Sequence, residues 1–134
     1  MKKLIILSIL AVFSAQVFAQ TLTASTKAFA VAKWDQTTVN VGNVPQDQPS
    51  TVNFTVTNIG SVPLQIMGVQ RPSNCSVPEW PARAIQPGST AVIKVIYDAK
   101  VGGYFNKVIR VTSNTEEGFT ELIITGEVIS NLNN

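Results

Sequence analysis

The chain has 134 residues, with ten Lys and Arg against eight Asp and Glu, one Cys and no His. The lack of His excludes Ser-His-Asp and Cys-His nucleophile sets and the usual zinc sites, and a lone Cys excludes an internal disulfide. A formal charge of +2 provides no basic field for nucleic acid.

Residues 1–19 read as a secretory signal: Lys2 and Lys3, an apolar run from Leu4 to Phe13, then small residues with Val17 and Ala19 placed for a cut before Gln20. The run is shorter than the roughly 20 apolar residues of a membrane span. Gln at position 20, where a lipoprotein would carry Cys, argues against a lipid anchor. The expected product is exported, periplasmic or extracellular. It has 115 residues and eight charges of each sign, large enough for one self-sufficient core.

Residues 20–28 (QTLTASTKA) are small and polar and read as a flexible leader, and a domain over 29–130 follows. FAVAKWD (29–35) alternates, with Phe29, Val31 and Lys33 opposite Ala30, Ala32 and Trp34. TTVNVGNV (37–44) puts Val39 and Val41 in phase. STVNFTVTN (50–58) is the clearest strand: Val52, Phe54 and Val56 face inward and Thr51, Asn53, Thr55 and Thr57 outward. The turn NIG (58–60) gives Gly60 freedom for positive φ. VPLQIMGV (62–69) places Leu64 and Ile66 in phase, a loop spans 70–85, and QPGS (86–89) is a turn.

TAVIKVIYD (90–98) is apolar on both faces, which predicts a central strand. KVGG (100–103) turns into YFNKVIRVTSN (104–114), with Phe105, Ile109 and Val111 inward. Lys107 shares their phase, which predicts either a bulge near Gly103 or a side chain that snorkels to the surface. TEEG (115–118) is a polar turn, and FTELIITGEVI (119–129) carries Leu122, Ile124 and Val128 in phase with Gly126 among them, a mark of close backbone approach or a bulge. Residues 131–134 read as a frayed tail. No window sustains a helical period. Seven to eight short strands with regular turns predict a single all-β, Ig-like antiparallel β-sandwich, with a small barrel as the alternative.

Several stretches in this order, KWDQTTVNVGNVPQ, VNFTVTNIGSVPLQI, CSVPEW, IQPGSTAVIKVIYD, GGYFNKVIRVTSN and LIITGEV, resemble the exported bacterial family known as domain of unknown function 1573. The resemblance covers roughly residues 33–128. That family is similar to the sandwiches of the major sperm protein, Hydin and PapD group. The resemblance implies a seven- to eight-stranded sandwich and export, and no reaction. Many members look like C-G-C-T where this chain reads Ser73-Asn74-Cys75-Ser76, so Cys75 stands at the second family cysteine and Ser73 replaces the first.

The segment RPSNCSVPEW (71–80) holds the candidate binding residues Asn74, Cys75, Glu79 and Trp80. With no His and no second Cys to lower its pKa, Cys75 reads as an inert packing thiol, an intermolecular disulfide being the lesser alternative. Trp80 and Trp34 are candidates for a sugar or peptide platform and, more simply, for packing under loops. Asp98, Glu116, Glu117 and Glu121 lie in or beside turns, with no spacing for a paired-carboxylate site. No catalytic residue, cofactor or metal is therefore expected. The expected function is a non-enzymatic envelope module that contacts a protein or surface polymer through an edge strand or the loops 42–49, 70–85 and 99–104. The alternative is a small periplasmic chaperone or assembly factor acting by strand complementation.

Overall fold

The computed structural model describes residues 28–130, so the expected signal, nearly all of the leader and the expected tail lie outside the described residues. Seven strands form two sheets: β1 (Ala32–Trp34), β2 (Thr38–Pro45), β3 (Ser50–Asn58), β4 (Ile66–Gln70), β5 (Thr90–Tyr97), β6 (Gly103–Ser113) and β7 (Phe119–Ile129). The first sheet runs β1-β3-β5 and the second β2-β7-β6-β4. All pairings are antiparallel except β2 with β7. The first strand among the described residues, β1, lies in the first sheet; the chain then bends after Trp34 and crosses to the second sheet as β2.

Strict alternation dictates the core. Val52, Phe54 and Val56 of β3, Ile93, Val95 and Tyr97 of β5, Ile109 and Val111 of β6 and Leu122, Ile124 and Val128 of β7 are all buried, and Leu64 and Ile66 close one end. Each such burial contributes roughly 1.5–3 kcal/mol. Across the sandwich Tyr97 stacks on Phe105 with ring centroids 4.0 Å apart. Gly126 continues the inward phase of Leu122 and Ile124. A Cβ there would lie 2.7 Å from Phe105 Cζ, 2.8 Å from Val41 Cγ2 and 2.9 Å from the Gly42 carbonyl oxygen. The missing side chain makes the room into which Phe105 and Val41 pack. Beside it β2 carries one extra residue between Asn40 and Asn43, a bulge in the parallel ladder.

The structure corrects three expectations and decides between the two readings of Lys107. β3, not β5, is the central strand of its sheet. Gly60 is not left-handed; a Cβ there would lie 3.1 Å from the Val31 backbone nitrogen, so glycine serves the turn by allowing a close approach. No bulge interrupts β6 from Gly103 to Thr112, and Lys107 instead reaches out to donate to the Ser73 hydroxyl at 3.0 Å. The segments expected as loops 42–49 and 99–104 are partly strand, since β2 runs to Pro45 and β6 starts at Gly103.

Asn58 organises the end of β3. It is 0% exposed, and its amide donates to the carbonyl oxygens of Val62 at 2.8 Å and Ile85 at 2.9 Å. Its Oδ1 accepts from the Gly60 N–H at 3.0 Å. One side chain thereby ties the 58–62 turn to the segment leading into β5.

Candidate functional site

The loop carrying the expected binding residues lies along the outer edge of β5. Ser76 N–H donates to the Ile96 carbonyl at 2.8 Å, Glu79 and Lys94 exchange bonds of 3.0 and 2.9 Å, and Asp98 N–H donates to the Asn74 carbonyl at 2.9 Å. Ile96 N–H is met by the Ser76 hydroxyl at 3.2 Å, so a side chain stands in for a backbone acceptor. The pairing Cys75 with Tyr97 and Glu79 with Lys94 slips by one residue, which leaves Val77 72% exposed. Pro78, with no N–H, sits in this slip without breaking a ladder bond. The segment is an irregular strand that covers an otherwise bare edge.

Asn74, Cys75, Glu79 and Trp80 do not converge. Asn74 is left-handed, with φ of 62°, beside Asp98, while Glu79 and Trp80 sit by Lys94, four residues further back, roughly 13 Å away. Cys75 is buried in the core. Burial raises its pKa, Lys107 pulls it down, Asp98 raises it and Arg71 lowers it, with burial prevailing. Lys107 is a cation that linear distance conceals, brought over by the packing of β6 against the 71–76 segment. Trp80 is half-buried against the core, and its rim with Pro81, Asn53 and Val92 frames a shallow open depression. Trp34 packs against the core too, its indole N–H buried with no partner. Among the described residues no three Asp, Glu or Cys side chains gather as a metal site, and no helix is long and apolar enough to cross a membrane.

A different feature stands open. β1 pairs only with Val56–Asn58 of β3, and Asp35 N–H adds one bond to the Thr55 carbonyl at 3.0 Å. Asn58 N–H donates to Ser89, on the β5 side, at 3.0 Å, so residues 52, 54 and 56 point their backbone groups at β5. By alternation those of Thr51 and Asn53 point the other way. There, where β1 has already left the sheet, lies a cleft of about 250 Å³ with Val39, Val41, Val52 and Phe54 in its walls and Asp35 and Gln36 at its rim. Among the described residues no strand pairs with Thr51 or Asn53 on that side; β2 lies across the cleft without bonding to them. The alternation of β3 was readable in the sequence; the early departure of β1 was not, because Phe29–Asp35 alternates throughout its length.

No curated protein matches the sequence. Among solved structures the fold is similar to a protein of unknown function from Porphyromonas gingivalis W83, with TM-score 0.65, 16% identity, and coverage of 73% of this chain and 46% of that one. It is similar to the VesB protease of Vibrio cholerae, with TM-score 0.58, 18% identity, and coverage of 72% and 31%. It is also similar to PapD-like domain 7 of human CEP192, with TM-score 0.56, 8% identity, and coverage of 74% and 85%. The chain spans under half the length of the first two. At such identities the likeness is one of fold. With residues 32–128 matching its pattern, the chain belongs to the family described as protein of unknown function (DUF1573).

Proposed function

We propose that this protein is an exported, non-enzymatic Ig-like module of the cell envelope that binds an extended segment of a partner protein along β3. The observation that carries this reading is the uncovered stretch at Thr51 and Asn53. Their outward donors and acceptors face a cleft with apolar walls. An added strand would exchange backbone bonds with both residues and set alternate side chains against Val39, Val41 and Phe54. Asp35 at the rim favours a segment with Lys or Arg at that end. The signal-like residues 1–19 support export; the mass of the mature protein from envelope fractions, beginning at Gln20, checks it, and an intact residue 1–19 there refutes it.

Binding is tested at Asn53. Asn53→Pro deletes the outward N–H, which β5 does not use, so the β3–β5 ladder survives. Asn53→Ala keeps that N–H. A photocrosslinker at Gln36 captures the partner segment, and a synthetic peptide of that segment is then titrated. The expected result is binding by the parent and Asn53→Ala, lost in Asn53→Pro, with the Asn53 amide protected from exchange in the complex. Equal binding by Asn53→Pro refutes strand addition. Capture of many unfolded envelope proteins with no preferred sequence favours the chaperone alternative.

A further inference from the structure

On the outer face of the second sheet, away from the β3 cleft, six side chains stand in two rows across three strands. Cross-strand register sets Asn40 of β2, Thr125 of β7 and Asn106 of β6 in one row, and Asn43, Glu127 and Tyr104 in the next. All six line one open groove of about 420 Å³. Their outward direction follows from the alternation that buries Ile124 and Val128 and turns Phe105 inward.

Two properties of these rows are not explained by folding. Asn is depleted from strands because its side chain competes for backbone bonds, yet three Asn lie within β2 and β6 here. The bulge accounts for part of one: Asn40 Oδ1 accepts from Gly42 N–H at 2.8 Å, which leaves its NH2 group free to donate. Second, Tyr104 is 86% exposed, the most exposed large hydrophobic side chain among the described residues. A tyrosine contributes to stability by burying its ring, and this ring stands in solvent beside the groove.

We infer that this groove binds a neutral glycan. A sugar ring presents an apolar C–H face and a rim of hydroxyls. The Tyr104 ring supplies a flat apolar surface for the first. The amides of Asn40, Asn43 and Asn106, the Thr125 hydroxyl and the Glu127 carboxylate supply donors and acceptors for the second. The lining has one anion and no cation, which disfavours phosphate, nucleic acid and acidic polysaccharide. Apart from Tyr104 and Phe105 its lining is glycine and polar side chains, which disfavours a protein interface core. A pleated sheet holds such a set rigidly, as a groove that must fit a repeating polymer requires. The bulge at Val41 and Gly42 brings Asn43 into line with Glu127 and so sets the second row.

The test titrates isotope-labelled protein with cellohexaose, chitohexaose, mannohexaose and maltohexaose to millimolar concentration. Polygalacturonate serves as an anionic comparison. At least one neutral hexaose is expected to shift the backbone amides of Asn106, Thr125 and Glu127 saturably. Tyr104→Ala weakens that binding about tenfold or more, as for an aromatic anchor, while Tyr104→Phe, which keeps the ring, stays within about threefold of the parent. Asn106→Ala weakens it as well. Because Tyr104 is exposed, the thermal midpoint of Tyr104→Ala matches the parent, so lost binding is not lost folding. Failure of every neutral hexaose to saturate overturns the inference. So does a Tyr104→Ala protein that binds like the parent, or binding confined to polygalacturonate. Asn53→Pro, which blocks the β3 cleft, leaves glycan binding unchanged, so the two sites fail independently.

Discussion

Replacing Asn58 with Ala removes one amide and strands three backbone groups, the carbonyls of Val62 and Ile85 and the N–H of Gly60. A buried polar group left without a partner costs about 1–3 kcal/mol. The three are not equal. The Ile85 carbonyl keeps a second bond, from Leu64 N–H at 2.9 Å, and Val62 and Gly60 are only half-buried, so water reaches them in part. The loss should therefore be about 3 kcal/mol, near the low end of the sum. That is a large share of the roughly 5–15 kcal/mol a domain possesses, and for a domain of this size it lowers the melting midpoint by roughly 12–24 °C. Asn58→Asp is the sharper probe. It keeps the shape but turns a donor into an acceptor that faces two carbonyl oxygens. At neutral pH it should be less stable than Asn58→Ala. The buried carboxyl has its pKa raised by folding, so the penalty is full above the folded pKa and is relieved as pH falls through it. Urea unfolding of the parent and both variants at several pH values measures this. A loss under about 1 kcal/mol for Asn58→Ala, or an Asp variant as stable as the parent at neutral pH, refutes the account of Asn58 as the knot of this turn.

Gly126→Ala forces a Cβ to within 2.9 Å of the Gly42 carbonyl, a backbone atom that cannot swing aside. Overpacking of this kind costs about 1–3 kcal/mol, and an unchanged urea midpoint would contradict the close approach of β2 to β7. For Cys75, burial raises the thiol pKa in the folded state. Its contribution to stability is thus complete below the unfolded value of about 8.5 and is lost as pH rises through that value toward the folded one. Tyr97, also raised chiefly by burial, extends the decline to higher pH. Cys75→Ala should flatten the first part of the decline and leave the second, and an unaltered profile refutes the assignment. Native Cys75 should also alkylate far more slowly than the denatured chain; rapid native labelling at neutral pH would show an accessible thiolate.

Period-two alternation was enough to locate β3 and β7 to the residue and to name the inward set from Val52 to Ile124, because a sheet with one dry face imposes that pattern directly on the chain. It failed where the chain was apolar for another reason. The two apolar faces of β5 look like a central strand, but its outer edge is met by the irregular segment from Asn74 to Glu79. Positive φ and close approach both demand glycine, so Gly60 was legible as necessary but not as to why. The grooves were the least legible. Asn106 meets Thr125 across the β6–β7 hairpin, but Asn40 lies far off in sequence and only the parallel pairing of β2 with β7 sets it beside them. Tyr104 was visible as an aromatic in the outward phase of β6, a signal that alternation alone could have raised.

That parallel pairing also governs when the molecule can become itself. Thr38 pairs with Ile123 and Pro45 with Ile129, so the second sheet cannot seat β2 until the last strand has been made. Hairpins such as β6–β7 can close early, but joining the two ends of the chain carries the full entropy of a long loop and is expected to be slow. A nascent copy therefore cannot complete its second sheet until its synthesis is nearly finished. A fold that closes this late suits the export proposed above, which requires a chain that is not yet fully folded.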